Sequence, residues 1–167
     1  MIITLSGSDA FKVQTGGVTL ATEGTDASNR AKPDIYLRTR SDDAALPEAG
    51  FIIKGAGEYE IREVEIKGTQ SRTYVVKAED LRIAFITETD ADSQEAMDRI
   101  DIAFVTKAEG VAKFLRQTAP RIVVTLESCA EAIGKELGAE TERMDKLTIK
   151  KKELSSTAPL KIVCLTA

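Results

Sequence analysis

The sequence predicts an α+β protein folded as one domain over residues 1–167, and three observations carry that prediction. Many short apolar runs are divided by two-residue turn signals, the second half alternates helix and strand patterns, and no linker, repeat or low-complexity tract separates the two. A chain of 167 residues that is 43% hydrophobic can bury a genuine core without disulfide or metal support.

The elements follow in order. Met1–Leu5, Phe11–Thr15 and Val18–Ala21 read as a β-meander, with Gly16-Gly17 as a hairpin turn. Residues 22–33 are polar and turn-rich and read as a loop; Asp34–Thr39 is the next strand, followed by the loop SDDAALPEAG. Tyr59 and Ile61 share one parity and Val64 and Ile66 the other, so a bulge or tight turn is expected at Arg62-Glu63. Thr73–Lys77 and Leu81–Ile86 form a hairpin around Glu79-Asp80. LRIAFI, apolar on both parities except at Arg82, has the pattern of a central strand.

Strands are expected at 100–106, 121–126, 146–149 and 160–165. Helices are expected near 93–98, 109–118 and 128–137. Thr106 with Glu109, and Ser128 with Glu131, have the spacing of reciprocal helix caps. Pro120 and Gly138 stand where the second and third helices should stop.

Composition excludes several function classes. The chain has no histidine, hence no imidazole general base, no Ser-His or Cys-His nucleophile pair and no His-based zinc site. Cys129 and Cys164 lack CxxC spacing and read as reduced structural thiols. The opening residues lack a basic region and a long apolar stretch, so a cytoplasmic protein with no membrane contact is expected. Lys150-Lys151-Lys152, on a chain of net charge −4 and without interleaved aromatics, reads as a solvated turn, and nucleic acid is not an expected partner. Gly55 and Gly57 in GAGEYE lack the strand-to-helix setting of a dinucleotide site and read as a tight turn. The carboxylates fall into groups: Asp42-Asp43; Glu58, Glu60, Glu63 and Glu65; Glu88, Asp90 and Asp92. Such groups serve either as solvated faces, the favoured reading, or as oxygen ligands for Mg²⁺, Mn²⁺ or Ca²⁺.

The order of MIIT-x-x-G-x-x-x-FK-x-x-T, PDI-x-L, I-x-G-x-GEYEI, LRIAFI, DIAFV, P-x-IVV and DKLTIKK resembles the metallo-β-lactamase-fold hydrolases, in particular the small bacterial branch similar to ascorbate-6-phosphate lactonases. The resemblance implies a four-layer αβ/βα sandwich, here reduced in size and β-rich. It also implies a metal site, in an H-x-H-x-D-H loop after PDI-x-L. At the matching positions this chain has Arg40, Asp42, Ala44 and Ala45, within Arg40-Ser41-Asp42-Asp43-Ala44-Ala45. Glu88 stands where the family has its bridging aspartate, and Glu127 where it has its closing histidine.

An oxygen-only donor set beside the guanidinium of Arg40 suits an ion-paired site better than zinc. The expectation is a metal-free, cofactor-free, non-catalytic relative acting by binding or assembly, through a protein partner or a second copy of itself. The alternative is a hydrolase or lyase with a rebuilt site of Asp42, Asp43, Glu58 and Glu88, metal-free or using Mg²⁺ or Mn²⁺.

Overall fold

The computed structural model describes residues 1–24, 32–40, 45–154 and 157–167. Along the chain, β1 (Ile2–Ser6), β2 (Ala10–Thr15) and β3 (Val18–Thr22) form the expected antiparallel meander. Next come β4 (Ile35–Leu37), β5 (Phe51–Ile53), β6 (Gly57–Ile61), β7 (Val64–Gly68), β8 (Tyr74–Ala78) and β9 (Leu81–Ile86). The second half holds α1 (Ala91–Ala96), β10 (Ile102–Val105), α2 (Val111–Thr118), β11 (Ile122–Leu126) and α3 (Glu127–Leu137). It closes with β12 (Thr141–Met144), β13 (Lys146–Thr148), a 3₁₀ turn at Lys151–Glu153 and β14 (Lys161–Leu165).

These strands make two sheets. The smaller has the order β13-β1-β2-β3-β4-β5, and the larger β12-β14-β11-β10-β9-β8-β7-β6. LRIAFI occupies the interior of the larger sheet, antiparallel to β8 and parallel to β10. One core lies between the sheets and includes Phe11, Leu20, Ile35, Ile83 and Phe104. A second lies between the other face of the larger sheet and the helices, where Ala84, Ala103 and Val123 meet Met97, Phe114 and Ile133. Among the described residues helices cover only that face, which is the sense in which the sandwich is reduced.

All three two-residue turns read from the sequence are present. Gly16-Gly17, Arg62-Glu63 and Glu79-Asp80 each have two positive φ values, from 48° to 79°, the geometry that continues strand twist through a short hairpin. The two reciprocal caps are not formed. α2 starts at Val111 after Gly110, and α3 starts directly from β11 at Glu127, neither with a side-chain cap. Ser128 instead contacts the Cys129 sulfur at 3.6 Å. The capped helix is α1, where Asp90 accepts from Ser93 N at 2.8 Å, starting the helix two residues before the expected 93. β12 had no sequence signal, being four residues long and mostly polar. The lysine run is less free than expected, because Lys151 donates to Asp80 O at 2.6 Å.

GAGEYE is explained by backbone packing. Gly57 has φ 144°, and a Cβ there would lie 2.8 Å from the Tyr59 hydroxyl, which folds back onto Ala56 O at 3.1 Å. A Cβ on Gly68 would approach Gly55 O to 2.2 Å. Gly68→Ala is therefore expected to destabilise the fold by about 1–3 kcal/mol, the range for forced overpacking, as read by urea unfolding.

The Glu79 turn is tied to the meander, accepting from Thr15 Oγ1 at 2.8 Å and Gly16 N at 2.9 Å and pairing with the Met1 amino group at 3.0 Å. Partial burial opposes its ionisation, but the bonds from Met1, Thr15 and Gly16 outweigh it and hold the carboxyl below its usual range. A folded pKa below the unfolded one contributes stability above the unfolded value, and that stability is lost as pH falls through the folded value. Glu79→Gln should cost about 1–2 kcal/mol at neutral pH and much less in acid, in paired urea melts.

Candidate functional site

The parallel strands β9, β10 and β11 end side by side, as do the parallel β3 and β4 of the other sheet. The loops after these ends enclose a cleft of about 1060 Å³. Carboxyl ends of parallel strands are the usual ligand position in such sheets, because the loops leaving them diverge. Phe11, Phe85 and Phe104 form the floor: Phe85 stacks on Phe104 at 4.4 Å, and Phe11 meets Phe104 edge-on at 4.9 Å from the opposite sheet.

One wall is the end of β4. Buried Tyr74 donates to Arg38 O at 2.7 Å and Ile53 O at 3.3 Å, joining the two sheets. Glu23, only 4% exposed, accepts from Arg40 N at 2.7 Å. The Arg40 side chain pairs with Asp9 from the β1–β2 turn. Burial, then the nearby Glu23 carboxylate, push the Tyr36 phenol up to about 12, so it is neutral in the physiological range. Burial raises Tyr74 as well.

The opposite wall is set by a hydroxyl network. Thr69 and Ser71 contact each other at 2.9 Å, Ser71 contacts buried Ser93 at 3.1 Å, and Thr87 donates to Ser71 O at 2.6 Å. Thr73 accepts from Thr87 N at 3.2 Å. Hydrogen bonds from Ser93 hold the Asp90 carboxyl below its usual range, with a lesser one from Ser71. This bracing fixes the segment that presents Glu88 to the cleft, where Glu88 pairs with Lys107 at 3.3 Å. Glu127 pairs with Arg143 at 3.4 Å. Behind it, buried Cys129 donates to Thr106 O at 3.2 Å.

Of the residues singled out in the sequence, Arg40, Glu88 and Glu127 line this one cleft. Asp42, Asp43 and Ala44 lie outside the described residues, and Ala45 is exposed and does not line the cleft. Glu58 is elsewhere. Tyr59 and Ile61 pack toward the inter-sheet core, so Glu58 takes the other face of β6 and lines a separate groove. Arg40 pairs with Asp9, and the other two described candidates, Glu88 and Glu127, take cations of their own; the expected partner Asp42 lies outside the described residues. Sequence reasoning missed Asp9, Glu23 and Lys107 as cleft residues. Their available signal was position, just beyond the ends of β1, β3 and β10.

This donor set does not suit zinc, which favours nitrogen and sulfur in a compact tetrahedron. There is no imidazole, both thiols are buried, and among the described residues no three His, Cys, Asp or Glu side chains converge.

The fold is that of the metallo-β-lactamase superfamily. The chain superposes on the crystal structure of a candidate Zn-dependent hydrolase of that superfamily from Thermotoga maritima with a TM-score of 0.79 and 16% identity, over 99% of this chain and 100% of that one. A candidate metal-dependent hydrolase from Parabacteroides distasonis matches with a TM-score of 0.62 and 16% identity, over 81% of this chain and 87% of that one. No family model matches the chain, and no curated protein reaches a significant match. At this identity the likeness concerns the fold, and function is argued from the site.

Glu23→Gln should lower the pH at which the Tyr36 phenol titrates, because one of the two influences raising it is removed. Ultraviolet difference titration reads this directly. Glu23→Ala should cost about 1.5–3 kcal/mol through the lost charged hydrogen bond to Arg40 N.

Proposed function

We propose that the chain is a non-catalytic protein on the metallo-β-lactamase fold, descended from metal-dependent hydrolases, that acts by binding or assembly from its old active-site end. The observation behind this reading is the state of the former ligand positions. Arg40 is held by Asp9, Glu88 by Lys107 and Glu127 by Arg143, so each charged residue at a described candidate ligand position is engaged in an ion pair, and the other described position, Ala45, has no donor to offer. A cytoplasmic setting belongs to the same proposal; no helix among the described residues is long and apolar enough to cross a membrane.

The pairs of Glu88 and Glu127 are well exposed. Such pairs are worth about 0–1 kcal/mol each, so they neutralise the cleft more than they stabilise it. A ligand with matching groups can exchange with them at little cost. The cleft thus keeps room and polar contacts for a small molecule or a protein loop.

The rival reading is a hydrolase or lyase working through carboxylates, either metal-free or with Mg²⁺ or Mn²⁺. Buried Glu23 beside the cleft is the observation in its favour. It requires turnover that Glu23→Gln removes.

Protein purified without added metal is expected to contain none by elemental analysis and to show no stoichiometric zinc binding by calorimetry. One tight equivalent of zinc, abolished by Glu88→Ala, would defeat the proposal.

A further inference from the structure

A second surface, away from the cleft, carries a charge pattern of its own. Glu60, Glu65, Lys77 and Arg82 stand in one row across β6, β7, β8 and β9, each opposite the next in the strand register. All four side chains take the sheet face turned away from the inter-sheet core. Their neighbours Ile61, Val64, Ile66, Val76, Leu81 and Ile83 fill that core instead. Glu60, Glu65 and Lys77 are exposed and Arg82 is half-buried. Glu58 and Lys67 form the adjoining row, and together these residues bound a groove of about 470 Å³.

Within a single chain this row is poorly matched. Glu65 and Lys77 pair at 2.8 Å. The flanking pairs, Glu60 opposite Glu65 and Lys77 opposite Arg82, are like-signed, and like charges directly opposite on neighbouring strands are destabilising. Arg82 Nε is buried without a hydrogen-bond partner.

We propose that this face is a twofold interface between two copies of the chain. The row reads acid, acid, base, base, which is antisymmetric about its centre. A twofold axis lying in the contact plane and running along the strands reverses the strand order of the second copy. Glu60 then faces the partner's Arg82, and Glu65 faces the partner's Lys77. Every opposed pair is attractive, and each like-signed pair gains countercharges. An axis across the strands would stack β6 on the partner's β6 and set acid against acid, so the charge pattern selects the first arrangement. Such a contact is isologous, with the same patch used by both copies.

Four strands span only about 15 Å, so the patch is small beside the roughly 800 Å² per partner of a standard interface. The dimer is accordingly reversible and salt-sensitive. This inference does not rest on the cleft, and the metal titration stands or falls separately.

Sedimentation velocity of the full chain tests it. The wild type is expected to dimerise reversibly at ~0.02 M salt and to weaken at least about tenfold by ~0.5 M, as screening shortens the range of the pairs. Lys77→Glu alone and Glu65→Lys alone should each be monomeric. Mixed in equal amounts, these two variants should form a heterodimer, because each supplies the charges the other lacks, and the double exchange in one chain should restore the homodimer. Circular dichroism confirms that each variant is folded; should a reversal unfold, Glu60→Gln, a milder change, should still weaken the dimer several-fold. A wild type that stays monomeric across the salt range, a dimer indifferent to salt and to both reversals, or a mixture that remains monomeric would each overturn the proposal.

Discussion

The cleft depends on one buried hydroxyl. Tyr74 lies on β8 of the larger sheet, yet its Oη bonds to the carbonyls of Arg38 and Ile53 on the smaller one. Backbone carbonyls at the end of a strand between two packed sheets cannot reach water, and an unmet one carries the full desolvation cost. Tyr74 supplies the donor and thereby sets the height at which β4 leaves its sheet. Arg38 N bonds back to Ile53 O at 2.9 Å and Glu23 N to Leu37 O at 3.1 Å, so the three neighbouring strand ends are stitched together at that level. Arg40 emerges two residues later. Its direction into the cleft follows from that stitching, and so does its meeting with Asp9.

The same end of the molecule shows how several carboxylates are accommodated around one cleft. Several acids gathered around one cleft repel one another, and burial raises the cost of each. Here the repulsion is resolved residue by residue. Glu23, the most buried, receives a backbone amide; Asp9 receives a guanidinium; Glu88 and Glu127 turn to cations at the rim. Exposure rises along that series, and the partner changes from a fixed dipole to a mobile side chain. The order is that expected if the need for a rigid partner grows with desolvation.

Where local geometry determines the outcome, the sequence was readable. Turns that need two positive φ values announced themselves through Gly-Gly, or through a parity switch between apolar strands. The interior position of LRIAFI followed from its apolar character on both faces. The caps failed because the helices start elsewhere: α3 grows straight out of β11, so its cap position is Leu126, which has no hydroxyl, and Ser128 falls inside the helix, while the cap position of α2 is Gly110. A polar strand such as β12 forms because β14 offers a free edge, and its four mostly polar residues show no apolar alternation. In the site, the resemblance placed Arg40, Glu88 and Glu127 on one cleft, but which cation meets which acid is set by loop lengths that no spacing rule encodes.

The absence of histidine and the charged row on β6 to β9 both bear on where this fold keeps its charged groups. In the cleft the charged side chains of Arg40, Glu88 and Glu127 find their countercharges within the chain. The unsatisfied charges lie instead on the opposite face of the larger sheet, where like-signed neighbours and an orphan guanidinium nitrogen are retained at some cost to the isolated chain. A cost kept at an exposed position calls for a compensating contact outside the chain, since substitution there is easy. The local frustration on β6 to β9 thus lies at a sheet surface, where the association proposed above would relieve it.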